Sequence, residues 1–83
     1  MQHLNPVQAW REEHGWSRRD VAVLAHIGYS PVAHAELGIA AHVHRAIIAL
    51  VRHTDGPAQA DALVTAYAAC RDGEAAKLMA ATP

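Results

Sequence analysis

Residues 17–38 read SRRDVAVLAHIGYSPVAHAELG, and the architecture of the whole chain follows from them. Ser17 is a good helix N-cap, and Asp20 stands three residues later, at the spacing of a capping box. Val21 and Ala25 lie one helical turn apart and give this segment an apolar face. The sequence therefore predicts a short helix that ends near Ala25.

A second short helix is predicted directly after a tight turn. Gly28 favours the turn, and Ser30 followed by Pro31 combines an N-cap with the residue that suits the first helical position. We expect this helix to cover about Pro31–Leu37 and to end at Gly38. Two short helices joined by a tight turn that contains Gly are typical of a helix-turn-helix, whose second helix can enter the major groove of DNA.

The chain on either side of this unit is also predicted to be helical. Asn5 is a good N-cap before Pro6, which indicates a helix over about Pro6–His14 that is stopped by Gly15. A fourth helix is expected to begin near Ala41. Its apolar stripe recurs at helical spacing at Val43, Ile47, Leu50 and Val51.

The C-terminal third is predicted to add one or two helices. Four strong helix breakers occupy residues 54–57, and beyond them we expect helices over Ala58–Arg71 and Glu74–Ala81. Gly73 is expected to separate the two, and the last is expected to fray at Pro83. The predicted fold class is all-α, a small five- or six-helix bundle. Residues 1–55 form its helix-turn-helix domain, and residues 56–83 either mediate dimerisation or complete the core.

Length and composition limit the kind of protein. The chain has 83 residues and is 52% hydrophobic, but nineteen residues are Ala and only 5% are aromatic. Ala is the best helix former and buries little area, so the composition predicts one helical domain with a small core. An ordinary Rossmann or β/α-barrel enzyme is excluded by length alone.

The formal net charge of −1 conceals an uneven distribution. Residues 1–53 hold five Arg against four acidic residues, while residues 54–83 hold one Arg and one Lys against four acidic residues. All seven His also lie in the first of these two parts. We therefore expect any anion-binding surface in residues 1–53.

Other classes of function receive no support. Cys70 is the only cysteine, which excludes an internal disulfide and predicts a reducing, cytoplasmic location. The longest apolar run is Ala46–Val51, too short for a membrane span. His42 and His44 are two residues apart and would point about 200° apart on a helix, so no metal site is predicted. Nothing in the sequence places a nucleophile next to a base in a pocket, and neither a catalytic site nor a cofactor is expected.

A set of residues spread from Asn5 to about Leu50 matches the pattern of a known family. They are Trp10-Arg11, Gly15-Trp16-Ser17, Val21-Ala22, Ile27, Val32 and Glu36-x-Gly38. With them the sequence resembles the DNA-binding domain of the Cro/C1-type (XRE-like) helix-turn-helix regulators of phages and bacteria. The resemblance implies a lambda-repressor-like fold, binding to double-stranded DNA, and an ion pair between Arg11 of the first helix and Glu36 of the recognition helix.

The resemblance also implies which residues face DNA. His26 stands where the family has its turn glycine, so Gly28 is expected to shift the turn, and Pro31 lies inside the base-contacting stretch. Phosphates are expected to be held by Arg18, Arg19, His44 and Arg45. The positions implied to face DNA are Arg18, Gly28, Tyr29, Ser30, Ala33, His34 and Leu37.

Two functions compete, and a third is remote. The first is a sequence-specific transcriptional regulator, a repressor acting as a homodimer through the stripe Leu63, Tyr67 and Cys70. The second is a helix-turn-helix module that binds a protein, such as an antitoxin, an anti-repressor or a polymerase-binding regulator. The second function is supported by the lack of Arg, Asn and Gln for base reading on the third helix. A neutral, apolar exposed side of that helix would support it further. The third is a pH or metal sensor that uses the histidines.

Overall fold

A computed structural model of the chain describes residues 5–81, which form an all-α bundle of five helices without a strand in that range. His3, one of the seven histidines, and the predicted fraying at Pro83 lie outside the described residues. The helices are α1 (Pro6–Glu13), α2 (Arg18–Ala25), α3 (Tyr29–Glu36), α4 (Arg45–Asp55) and α5 (Pro57–Ala81).

Asn5 begins α1 and also ties it to α3. Its side-chain oxygen accepts hydrogen bonds from the backbone N–H groups of Val7 and Gln8, at 2.9 and 3.3 Å. Its side-chain nitrogen donates to the carbonyl of Ala35 at 2.8 Å. The residue predicted to be an N-cap therefore also fixes the contact between two helices that are distant in sequence.

The start of α2 is the predicted capping box. The hydroxyl of Ser17 accepts from the backbone N–H of Asp20 at 3.0 Å, and the carboxylate of Asp20 accepts from the backbone N–H of Ser17 at 2.9 Å. These bonds satisfy backbone groups at the helix start that have no partner within the helix. The hydrogen bonds to Ser17 also lower the pKa of Asp20.

The turn between α2 and α3 is made by His26, and the expectation that Gly28 shifts it is wrong. His26 adopts a left-handed backbone conformation with φ 58° and ψ 40°. Gly28 has extended backbone, with φ −71° and ψ 169°, and serves only as the N-cap of α3. Histidine is among the non-glycine residues that enter the left-handed region most often, which explains why the turn forms without glycine.

α3 begins at Tyr29, two residues before the predicted start at Pro31, and Ser30 is not its cap. Pro31 occupies the third helical position. The first backbone N–H groups of a helix have no partner inside it, so a proline there removes no hydrogen bond. Ser30 followed by Pro31 therefore predicted correctly that a helix begins in this region, but it placed the first helical residue two positions too late.

α4 also begins later than predicted, at Arg45 and not near Ala41. The side chain of His44 accepts a hydrogen bond from the backbone N–H of Ala46 at 3.0 Å and caps the helix. Val43 is buried although it precedes the helix. Its apolar spacing therefore predicted burial correctly and helical structure wrongly.

α5 is one helix of 25 residues that continues through Gly73, where a break was expected. A glycine inside a helix costs about 1 kcal/mol relative to Ala, which weakens the helix but does not end it. Only Gly56, with φ 95°, separates α4 from α5. Since 25 residues extend about 37 Å, α5 accounts for most of the molecule's 44 Å long axis.

One buried cluster joins all five helices, and the first half of α5 completes it. Leu63 and Tyr67, predicted to be dimerisation residues, are only 7% and 2% exposed and pack inside this cluster. They are covered within the monomer, so the predicted interface through them is wrong; Cys70, the third member, is half-buried. The cluster consists of Val7, Trp10, Val21, Ala22, Val32, Ala35, Val43, Ile47, Val51, Ala60, Leu63 and Tyr67.

Tyr67 and Arg71 of α5 secure the segment that follows α3. The hydroxyl of Tyr67 donates to the carbonyl of Ala40 at 2.6 Å, and burial raises the pKa of Tyr67. The guanidinium of Arg71 donates to the carbonyls of Gly38 and Ala41, at 3.2 Å each. These bonds hold the segment in a non-helical path, which explains the late start of α4.

Within the described part of the chain, no helix is both long and apolar enough to cross a membrane.

Candidate nucleic-acid interface

α3 has a buried side and an outward side, and the outward side carries the positions implied to face DNA. Val32, Ala35 and Glu36 are buried against the rest of the bundle. The opposite side leaves Tyr29 52% and Leu37 61% exposed. Ser30 and His34 are also exposed, and Ala33 is half-buried between them. We call Tyr29, Ser30, Ala33, His34 and Leu37 the outward face of α3.

The outward face is neutral and largely apolar. Among its side chains, those of Tyr29, Ser30 and His34 can form hydrogen bonds, while Ala33 and Leu37 offer only carbon atoms. Ile39, which follows the helix, is 63% exposed and extends the apolar surface. This face lacks the arginine and amide side chains that read bases in bidentate pairs, as the sequence predicted.

Glu36 fixes α3 to α1 through the predicted pair with Arg11. The Arg11 guanidinium donates from Nε to Oε2 of Glu36 at 2.8 Å and from Nη2 to Oε1 at 2.9 Å. Its third nitrogen, Nη1, donates to the carbonyl of Trp16 at 2.9 Å. The hydrogen bonds to Glu36 raise the pKa of Arg11. One side chain of α1 thus binds both α3 and the connection to α2.

Arg18 is a second partner of Glu36, and sequence reasoning missed it. Its Nε lies 3.2 Å from Oε1 of Glu36, whose side chain is 0% exposed. Hydrogen bonding to Tyr29, and then to Glu36, raises the pKa of Arg18. Arg18 therefore connects the start of α2 with both ends of α3. Its position at the start of α2 was noted in the sequence, but the bond to Glu36 depends on how the two helices cross.

The Arg11–Glu36–Arg18 cluster has a surplus positive charge. Two guanidinium groups share the buried carboxylate of Glu36, and the exposed Glu12 lies 4.0 Å from Arg11 and offsets part of its charge. The Arg18 side chain is 32% exposed while that of Arg11 is 14% exposed. The surplus charge is therefore presented mainly through Arg18, beside Tyr29. In the described bonds Arg18 donates to Glu36 from Nε only. Its other guanidinium nitrogens can therefore make the phosphate contact implied for Arg18 while the bond to Glu36 is kept.

The other residues implied to contact phosphates lie at helix starts. Arg19 in the first turn of α2 and Arg45 at the first position of α4 are exposed. His44 uses Nδ1 to cap α4, which leaves Nε2 as the ring nitrogen for another partner. These three residues do not join the Glu36 cluster in any described hydrogen bond.

A shallow groove lies elsewhere on the molecule, between α1, α4 and α5. Its volume of about 260 Å³ is below the ~300–1,000 Å³ of typical small-molecule sites. Asp55 on its edge is 3.0 Å from Nε2 of His14. The groove is lined by Pro6, Ala9, Trp10, Glu13, Val51, Asp55, Gln59, Ala62 and Leu63. It includes no residue of α2 or α3 and has no part in the outward face.

No group of three or more His, Cys, Asp and Glu side chains within residues 5–81 is arranged to hold a metal ion. Comparisons of the chain with protein-family models, with curated proteins and with solved structures found no match. The function of this chain is therefore inferred from its own geometry and from the resemblance in its motifs.

Proposed function

We propose that the protein is a sequence-specific DNA-binding regulator of transcription, of the Cro/C1 repressor type, that inserts α3 into the major groove. The observation that carries the proposal is the outward face of α3. The three-residue turn at His26 leaves this face outside the core, and the bonds to Glu36 fix its direction. A helix presented in this way is the reading element of helix-turn-helix proteins.

The charge distribution around α3 supports an anionic partner. Between residues 21 and 54 the only acidic residue is Glu36, which is buried and bonded to two arginines. The exposed arginines Arg19 and Arg45 stand at the starts of α2 and α4. No exposed carboxylate lies in residues 21–54, although the exposed Asp20 stands beside Arg19 in the first turn of α2. The cation that the described bonds place at α3 is Arg18, which can also contact a phosphate.

A homodimer completes the proposal, because one chain offers few cations for phosphates. Two copies would bind half-sites about 34 Å apart, one turn of the DNA helix. The dimer contact is proposed to lie outside Leu63 and Tyr67, which belong to the core. Residues 72–81 of α5 are exposed and give the copies a surface for contact.

Selection of bound duplexes from a random pool tests the proposal. We expect enrichment of one sequence, followed by weaker anisotropy binding to that sequence for His34→Ala and Tyr29→Ala. His53→Ala, which changes an exposed histidine on α4, is the matched control and should bind normally. Arg45→Ala should weaken binding to all sequences alike. If no sequence is enriched even at low salt, the DNA-binding proposal is wrong.

The outward face holds no Arg, Lys, Asp or Glu and exposes apolar atoms, which is the result expected of the second candidate, a module that binds a protein partner. Tyr29, Leu37 and Ile39 expose apolar atoms close together in sequence, and contiguous exposed apolar surface often marks a protein-binding site. A partner protein that binds the wild-type chain but not Leu37→Asp, combined with no DNA enrichment, would favour this candidate. Specific enrichment of DNA that Leu37→Asp abolishes would favour the first.

A further inference from the structure

The outward face of α3 is divided into two rows of different chemistry. Tyr29, Ala33 and Leu37 are spaced four residues apart and form an apolar row along the helix. Ser30 and His34 form a parallel polar row beside it. The ends of the apolar row are exposed by 52% at Tyr29 and 61% at Leu37. We refer to these sets below as the apolar row and the polar row.

The apolar row has a length that can be compared with DNA. Eight residues along a helix rise about 12 Å. Base pairs are stacked about 3.4 Å apart, so the row extends over about three to four of them. Ile39 continues the apolar surface past the helix end, with 63% exposure.

The apolar row restricts which base edges α3 can recognise. Guanine and adenine are read best by Arg, Lys, Asn or Gln, and cytosine by a carboxylate. The segment Tyr29–Leu37 holds none of the first four, and its only carboxylate, Glu36, is buried and bonded to Arg11. Thymine presents a C5-methyl group in the major groove, which is the base-edge group that apolar side chains contact.

We propose that α3 reads the C5-methyl groups of thymines with its apolar row, and this inference rests on the proposed DNA-binding function. Each half-site would carry two or three thymines, on either strand, within about four consecutive base pairs. DNA fits this surface better than an apolar protein does, because the partly exposed Arg18 bonds to Glu36 at the end of α3, and Glu36, the one acidic residue between residues 21 and 54, is buried. The polar row would bond to neighbouring base edges or phosphates.

The test replaces thymine by uracil, which removes the methyl group and leaves the hydrogen-bonding edge intact. Duplexes enriched from a random pool by the full chain would be resynthesised with uracil at single thymines and titrated by fluorescence anisotropy. We expect about a fourfold loss of affinity for each contacted methyl group, the amount that burial of one such group contributes. Uracil in the flanking sequence should change nothing.

Variants of the chain connect the methyl effect to the apolar row. In Leu37→Ala and Ala33→Ser, the ratio of affinities for thymine and uracil duplexes should fall towards one. In His34→Ala, which alters the polar row, affinity should fall while that ratio stays the same. Circular dichroism confirms that each variant is folded before its affinity is interpreted.

The outcomes separate the inference from the proposed function. Equal affinities for thymine and uracil duplexes, with specific binding intact, would overturn the inference and leave the DNA-binding function standing. An enriched site without clustered thymines would do the same. Failure to enrich any sequence would overturn both, and the protein-binding candidate would replace them.

Discussion

Arg11 binds Glu36 with two nitrogen atoms, at 2.8 and 2.9 Å, and these bonds join α1 to α3 over 25 residues of sequence. Arg18 binds the same carboxylate from α2 at 3.2 Å. Three helices thus meet at one buried side chain. The cluster and the buried contacts of Val32 and Ala35 together hold α3 against the rest of the bundle.

Glu36→Gln tests the importance of this cluster for stability. The variant leaves two guanidinium groups beside a neutral amide, and loss of one partner of a buried ion pair costs about 3 kcal/mol. Urea unfolding measures the difference. The control is Glu12→Gln, since Glu12 is exposed and 4.0 Å from Arg11, and we expect it to change stability by less than about 0.5 kcal/mol. Equal effects of the two substitutions would contradict the assigned role of Glu36.

His26→Gly tests the assignment of the turn. His26 has φ 58°, a conformation that glycine adopts without steric cost, so we expect stabilisation of about 0.5–1 kcal/mol. Thermal and urea unfolding measure it. Gly28→Ser is the companion variant, because the N-cap at Gly28 has no side-chain hydrogen bond. It should gain a few tenths of a kcal/mol, roughly the usual advantage of Ser over Gly at an N-cap. A loss of stability in Gly28→Ser would indicate that the turn needs glycine there.

The raised pKa of Tyr67 predicts how the free energy of unfolding changes in alkali. Burial raises its pKa in the folded state, so the unfolded chain loses this proton first as the pH rises. The stability that this raised pKa contributes is fully present below about pH 10, the pKa of an unperturbed tyrosine. It is lost as the pH rises through the raised pKa of the folded state. Tyr67→Phe should lower the free energy of unfolding by about 1 kcal/mol at pH 7, because the hydrogen bond to Ala40 is lost. The free energy of unfolding of this variant should also fall less steeply as the pH rises in alkali. An alkaline profile identical in wild type and Tyr67→Phe would rule the explanation out.

The capping box of α2 predicts the opposite dependence in acid. Hydrogen bonds to Ser17 lower the pKa of Asp20, so its contribution is present above about pH 4 and is lost as the pH falls through the lowered value. Asp20→Asn should flatten this part of the acid profile, while Asp72→Asn on exposed α5 should not. Ser17→Ala should cost about 1 kcal/mol at neutral pH, the usual contribution of an N-cap. Chemical unfolding across the acid range measures all three variants.

Gly73→Ala tests whether α5 is continuous. A Cβ at this position meets no atom within 4 Å, and Ala favours a helix interior by about 0.5–1 kcal/mol. We expect higher helix content by circular dichroism and slower amide exchange in residues 72–81, with little change in the unfolding of the core. If amide exchange shows residues 57–71 and 74–81 as two independent helices in wild type and variant alike, the continuous helix is wrong.

The sequence predicted several local features correctly. The caps at Asn5 and Ser17 formed as expected, and α1 stops before Gly15, which has a left-handed backbone with φ 71°. The all-helical fold followed from Ala content and apolar spacing.

Some errors were local, at the turn made by His26, at the start of α3 and at Gly73, which stays inside α5. Others came from interactions between distant parts of the chain. The late start of α4 depends on Tyr67 and Arg71, which bond to the preceding segment from α5. The second partner of Glu36 depends on the crossing of α2 and α3, and the burial of Leu63 depends on where α5 lies against α1 and α4. Neither spacing nor helix propensity contains this information.

The separation of the two sides of α3 has a consequence for how this protein can evolve. None of Tyr29, Ser30, Ala33, His34 and Leu37 belongs to the buried cluster, whereas Val32, Ala35 and Glu36 are buried. Substitutions can therefore accumulate at the first set while selection for folding acts on the second. Among descendants of this chain, preference for a partner should diverge faster than the fold, through changes at a handful of codons.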